Sequence, residues 1–177
     1  MIEPTKVPLS IVVAKSDNGI IGYKGCIPWH IAEDLRYIRK LTMNKPLIMG
    51  RKTWESLPIK PLKGRTSIIM TSNEKYLPEV NIDVQVANDL RTAVSIADVD
   101  AENRGSDEII VFGGSSVYEE TMSMAYRIYM TEVHINVEGD TRFPFIKRSR
   151  WREVSYKGYE TEDGIKYTNI VLERKDA

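Results

Sequence analysis

Soft metal ligands are scarce in this chain. Its 177 residues include one cysteine, Cys26, and two histidines, His30 and His134. A single cysteine excludes an intramolecular disulfide and a cysteine-based zinc site. Two histidines do not make a multi-histidine metal centre, and no metal is expected. This cysteine usage fits a reducing compartment. An excess of one charge is lacking too: Lys plus Arg and Asp plus Glu number 25 each. Without a global basic field, neither nucleic acid nor an anionic membrane is an expected partner. Local basic clusters can still hold a small anion. No apolar run approaches the ~20 residues that span a bilayer. The start, MIEPTKVPLSIVVAKSDNG, lacks the charged-then-apolar pattern of a signal peptide. The expected address is the cytoplasm. Repeats, low-complexity tracts and linkers are missing, so one domain over residues 1–177 is expected.

What is present alternates. Short continuous apolar runs, the mark of strands buried on both faces, occur at PLSIVVA (8–14), PLIMG (46–50), TSIIMT (66–71), IDVQVA (82–87) and DEIIVFGG (107–114). RIYMTEVHI (127–135) alternates and reads as a further strand. Between them, AEDLRYIRKLT (32–42), RKTWESL (51–57), DLRTAVSIADV (89–99) and SSVYEETMSM (115–124) read as helices. The polar DVDAENRGSD (98–107) reads as an exposed loop. Asp163-Gly164 signals a hairpin turn between two long runs over 151–174. The expected class is α/β: a mainly parallel sheet with helices on both faces and an antiparallel pair at its edge.

In such sheets ligands bind beyond the carboxyl ends of the strands. Three stretches fall there. In VFGGSSVYEE a strand meets two glycines and a helix start, which suits a phosphate, or is simply a tight turn. In MGRKTWESLP, Arg51 and Lys52 stand at a helix N-terminus, where cations are unfavourable unless an anion compensates. Thr53 is either a helix-start hydroxyl or a phosphate ligand. In CIPWHIAEDLRYIRK, Asp34 occupies a helix's first turn. An acid there ordinarily faces solvent, but Leu35, Ile38 and the preceding IPW supply apolar walls. Burial would raise its pKa; the helix start and hydrogen-bond donors would lower it, and the sequence leaves the sign open.

GIIGYKGCIPWHIAEDLRYIRKLT, NKPLIMGRKTWESLP, PLKGRTSIIMTS, IIVFGGSSVYEE and YMTEVHINVEGDTRFP resemble, in order and spacing, the motifs of bacterial-type dihydrofolate reductases. The resemblance implies an eight-stranded, mainly parallel sheet with an antiparallel C-terminal strand. It also implies NADPH-dependent reduction of dihydrofolate to tetrahydrofolate, antifolate binding and a monomer. Asp34 resembles the carboxylate that grips the pterin 2-amino group and N3, Thr131 its hydroxyl partner, and Trp29 the residue that helps position a nearby water. Substrate contacts are implied for Val13 and Phe112 through their backbones, for Leu35, Ile38, Leu57 and Leu62 through an apolar groove, for Tyr118, and for Arg65 on the glutamate α-carboxylate. Cofactor contacts are implied for Ala14, Ile21, Gly22, Gly50, Arg51, Lys52, Thr53, Thr71, Ser72, Phe112, Gly113, Gly114, Ser115, Ser116, Val117 and Tyr118. The resemblance further implies a cis peptide between the two glycines and a mobile loop over 16–29. Ile38 departs from the phenylalanine of many relatives, and PIKP (58–61) differs slightly in length. Two alternatives stay open: a same-fold reductase of a ribosylaminopyrimidine in riboflavin synthesis, and a nucleotide-binding module without catalysis.

Overall fold

Residues 2–175 are described by a computed structural model. In chain order the elements are β1 (Leu9–Ser16), β2 (Ile20–Gly22), α1 (Ala32–Thr42), β3 (Pro46–Gly50), α2 (Arg51–Ser56), β4 (Thr66–Met70), β5 (Val84–Ala87), α3 (Leu90–Arg104), β6 (Ile109–Gly113), α4 (Ser115–Thr121), β7 (Arg127–Val133), β8 (Thr141–Arg142), β9 (Trp151–Glu160) and β10 (Lys166–Arg174). Eight strands form one sheet in the order β5-β4-β3-β6-β1-β7-β10-β9. The pairings from β5 through to β7 are parallel. Only β10 runs against its neighbours, β7 and β9.

The apolar runs become the central strands because both sheet faces are covered. Ile11, Ile48, Ile68 and Val111 pack in one cluster, and Leu47, Met49, Ile69 and Ile110 pack with Trp54 in another. All eight of these strand side chains have no exposed surface. The parallel arrangement aligns the carboxyl ends of β1, β3, β4 and β6 along one edge.

The exposed loop expected over 98–107 is instead mostly helix. α3 runs on to Arg104, and Gly105 ends it at φ 66°, its N–H bonding to Ala101 O and Glu102 O. The reason lies in the small residues: Ala93, Ala97 and Ala101, four apart, are fully buried. Asp100 is half-buried, accepts from Thr66 Oγ1 of β4 at 2.7 Å and pairs with Arg104 at 2.9 Å. A dense polar stretch proved helical because its alanine fits against the sheet and its charges pair with one another and with Thr66.

A second, two-stranded sheet of β2 and β8 gave no periodic signal, being only a few residues long. It docks the 16–29 loop onto residues 137–143. Asp140 N–H donates to Gly22 O (3.1 Å), and Lys24 N–H donates to Asp140 Oδ2 (2.9 Å). Arg142 Nη1 donates to Asn18 O at 2.6 Å. Gly139 sits under this junction. A Cβ there would lie 2.1 Å from Ile20 Cγ2 and 2.8 Å from Gly22 O.

Candidate active site

Asp34 is the third residue of α1, whose N-cap, Ile31, offers no side-chain bond. Its carboxyl turns inward and is only 5% exposed, unlike its neighbours Glu33 and Leu35. Its Oδ1 accepts from Thr131 Oγ1 at 2.8 Å and from Asn169 Nδ2 at 3.1 Å. Burial pushes the Asp34 carboxyl above the usual carboxylate range, and the bonds from Thr131 and Asn169 pull it only part of the way back. That settles the sign the sequence left open: burial wins. Trp29 is half-buried beside Ile31, Val133 and Tyr167 at the start of α1.

Ile38, Leu57, Leu62 and Phe112 pack, half-buried, against the cluster around Trp54 and Met49. Leu35 is 51% exposed, so it stands at the helix's outer rim rather than in the packed wall. The Val13 side chain joins the core on the opposite sheet face, which leaves its backbone as the part available to a ligand. Val12 contributes through its backbone. Its carbonyl accepts from the buried Tyr118 hydroxyl at 2.7 Å, tying β1 to α4. Burial raises the pKa of that phenol, so it remains a donor.

Arg65 is buried, 7% exposed. Its Nε donates to Lys63 O and its Nη1 to Thr42 Oγ1, both at 3.2 Å. No acidic side chain among the described residues pairs with it. Burial and the charge of Arg39 both lower its pKa. Such a guanidinium is a buried positive charge held by neutral oxygens.

The glycine stretches converge. Gly50 ends β3 and Gly113 ends β6, with Met49 and Gly113 in register. A Cβ on Gly50 would lie 3.5 Å from Val117 Cγ2 and 3.9 Å from Gly113 O. The Gly113–Gly114 peptide is cis, as the resemblance implied, and Gly113 takes φ 112°. A Cβ on Gly113 would stand 3.0 Å from the Tyr118 hydroxyl oxygen. Neither Gly50 nor Gly114, the N-caps of α2 and α4, supplies a side-chain bond, so first-turn N–H groups are free for an anion. Thr53 points here: its Oγ1 is 3.5 Å from the site of a Cβ on Gly114. Arg51 is already compensated by Glu55 at 2.6 Å. Lys52 is exposed, without an acidic partner among the described residues. Thr71 and Ser72 follow β4 at the same edge, and Ser115 and Ser116 open α4. Ala14 pairs with Thr131 across β1 and β7, while Ile21 and Gly22 lie in and beside the docked loop.

Glycine turns at uncapped helix starts suit the phosphates of a nucleotide cofactor, and a buried acid suits the polar edge of a heterocycle. A family model described as dihydrofolate reductase matches residues 8–174. The chain belongs to the dihydrofolate reductase family. A dihydrofolate reductase of Neisseria gonorrhoeae is 37% identical over 92% of this chain and 95% of its own length. A type 3 dihydrofolate reductase of Salmonella typhimurium is 33% identical, over 90% and 92%. The structure of dihydrofolate reductase from Enterococcus faecalis, complexed with NADP(H) and RAB-propyl, superposes with a TM-score of 0.85 at 30% identity, covering 96% of this chain and 97% of that one. The family's reaction, reduction of dihydrofolate by NADPH, is therefore the one this site serves. Riboflavin-pathway reduction and non-catalytic nucleotide binding are set aside.

Asn169 is the polar residue at the site that the sequence did not disclose. It lies in the final strand, far from every quoted motif. Only its register opposite Thr131 brings it to Asp34. One group of metal-ligand type exists among the described residues, Asp17, Glu132 and His134. Both ring nitrogens of His134 are engaged, by Asp17 at 2.9 Å and Thr168 at 2.6 Å, so it acts as a strut.

Proposed function

We propose that reduction of 7,8-dihydrofolate to 5,6,7,8-tetrahydrofolate in this chain is carried by Asp34, held by Thr131 and flanked by Trp29. The observation that supports this most is the burial of Asp34, 5% exposed, with its Oδ1 held by Thr131 and Asn169. Asp34 anchors the pterin 2-amino group and N3. Ile38, Leu57, Leu62 and Phe112 enclose the ring system, and Arg65 holds the glutamate α-carboxylate. Bound NADPH supplies the hydride that reaches C6 of the pterin. The residues to hold it are Gly50 to Thr53, Thr71, Ser72 and Gly113 to Tyr118, with Ala14, Ile21 and Gly22 on the nicotinamide side. Asp34 is at the pterin's amino edge, so the proton for N5 arrives through water, drawn by the field of the carboxylate. The loop over 16–29 excludes bulk water from the reacting atoms.

Mixing the protein with dihydrofolate and NADPH and following loss of the reduced-nicotinamide absorbance tests the reaction. No loss of absorbance would overturn the reading. The same assay reports cofactor choice. Lys52 and Arg51 read the 2′-phosphate, so NADPH is preferred over NADH by roughly 10- to 100-fold in kcat/KM, the worth of a charge-assisted contact. Equal use of both cofactors would contradict that assignment. Because Glu55 already occupies Arg51, Lys52→Ala is expected to narrow the preference more than Arg51→Ala does.

Loop docking has its own test. In Gly139→Ala the added methyl must push Ile20 and Gly22 away. Hydride transfer is expected to slow by roughly 10- to 100-fold, as small misplacements near reacting atoms do. Single-turnover kinetics measure this, and an unchanged rate would remove the docked loop from the chemistry.

The chain works as one domain over 1–177, as a cytoplasmic monomer, and antifolates occupy the same groove. No helix among the described residues is long and apolar enough to cross a membrane.

A further inference from the structure

Asn169 lies on β10 directly opposite Thr131 on β7. Side chains of such cross-strand partners share one sheet face. Here that face meets the first turn of α1. The amide nitrogen of Asn169 is 3.1 Å from Asp34 Oδ1 and 2.9 Å from Thr131 Oγ1. Thr131 Oγ1 is 2.8 Å from the same Oδ1.

The protons in this triangle can be counted. A threonine hydroxyl has one proton, and it is directed at Asp34. The hydroxyl oxygen then has lone pairs for one proton of the Asn169 amide. The same amide nitrogen also reaches Asp34 Oδ1, so its donation is shared between the two oxygens. Turning the amide over would set its carbonyl oxygen against a carboxylate oxygen, so the orientation is fixed by its neighbours. Oδ1 therefore receives two donors. Among the described residues no donor reaches Oδ2.

We propose that Asn169 is a positioning residue for pterin reduction: with Thr131 it holds Asp34 Oδ1 as a double acceptor and so assigns both the exchangeable proton and the unshared substrate contact to Oδ2. The proposal rests on Asp34 being the pterin-facing acid. A carboxylic acid carries its proton on the oxygen with fewer donors aimed at it. With two donors on Oδ1, that oxygen is Oδ2 in the neutral acid, and in the ionised acid Oδ2 is the oxygen free of protein donors for a pterin N–H. Fixing the proton's position also fixes the direction from which a water relay can be fed. A hydrogen bond to the ionised form favours ionisation, so Asn169 also offsets part of the burial that raises this acid. The other titratable groups facing Asp34 are phenols. Tyr37 on α1 and Tyr167 on β10 are both raised, chiefly by burial and next by the charge of Asp34, so both stay neutral through the working range. Glu33 and Arg36 act on Tyr167 with opposite signs.

The test replaces Asn169 by leucine, which nearly keeps the volume and removes both donors. Two midpoints are measured: the carbon-13 titration of the Asp34 carboxyl in the free protein, and the pH profile of kcat/KM with NADPH and dihydrofolate. Both are expected to rise by about one pH unit, the size of one charge-assisted hydrogen bond. If both stay at the wild-type midpoint, Asn169 does not position Asp34 and the proposal falls. A packing role alone lowers thermal stability and leaves both midpoints in place. Should Asn169→Leu fail to fold, Asn169→Val, β-branched and suited to a strand, is read in the same way. A shifted carboxyl titration with an unshifted kinetic profile would retain the hydrogen-bond coupling but overturn the role assigned to Asn169 in reduction. Full activity in Asp34→Asn would overturn the underlying site assignment instead.

Discussion

Asp34→Asn slows hydride transfer at pH 7 by about 10²- to 10⁴-fold, the range for loss of a positioned acid–base group, and at the same time makes the protein more stable. The two effects share one cause. In the folded chain the Asp34 carboxyl holds its proton more tightly than in the unfolded chain, because burial penalises the charged form. The sign follows from linkage. The folded state binds more protons than the unfolded state between the unfolded pKa, about 3.9, and the higher folded value. Stability therefore falls as pH rises through that interval, and the deficit persists above it. Asparagine cannot ionise, and its carbonyl oxygen still accepts from Thr131 and Asn169. The variant should melt higher than the wild type at pH 7 and lose that advantage below pH 4. Thermal unfolding at the two pH values checks this. An equal or lower melting temperature for the variant at pH 7 would mean that the buried charge costs nothing.

Arg65→Leu weakens dihydrofolate binding by roughly 10²- to 10³-fold, the usual consequence of removing one partner of a buried charge pair. The geometry behind this is a guanidinium fixed by Lys63 O and Thr42 Oγ1 with no acid to meet it. Arg39 makes matters worse in the free protein, since its charge also lowers the Arg65 pKa. A ligand carboxylate relieves both costs at once. The loss should appear in KM and in the equilibrium dissociation constant, with kcat at saturation nearly preserved. A pterin lacking the glutamate should bind wild type and variant alike. Fluorescence titration with both ligands decides. Unchanged dihydrofolate affinity would remove Arg65 from the site.

Most of the sheet was legible because parallel strands announce themselves as continuous apolar runs, and Pro46–Gly50 and Ala32–Thr42 match their sequence limits to the residue. α3 was cut short because Asp98, Asp100 and Glu102 outweighed the four-residue spacing of Ala97 and Ala101. β2 and β8 are too short for any period to show, and their pairing depends on a contact between loops over 100 residues apart in sequence. The site followed the same rule. Asp34, Arg65 and the glycine turn sit in motifs with local chemistry. Asn169 and Val12 act through register and a backbone carbonyl, and neither leaves a local pattern. The compensation of Arg51 by Glu55 was readable as an i,i+4 pair, and it shifts the free charge at that helix start onto Lys52.

The most direct measurement is single-turnover hydride transfer at saturating NADPH and dihydrofolate, in wild type and Asp34→Asn, from pH 5 to pH 9. If Asp34 draws the proton toward N5, the variant's deficit is smaller at pH 5, where a larger fraction of substrate arrives protonated from solvent, than at neutral pH. A deficit of the same size at every pH would contradict the proton-relay role and leave Asp34 as a binding group alone.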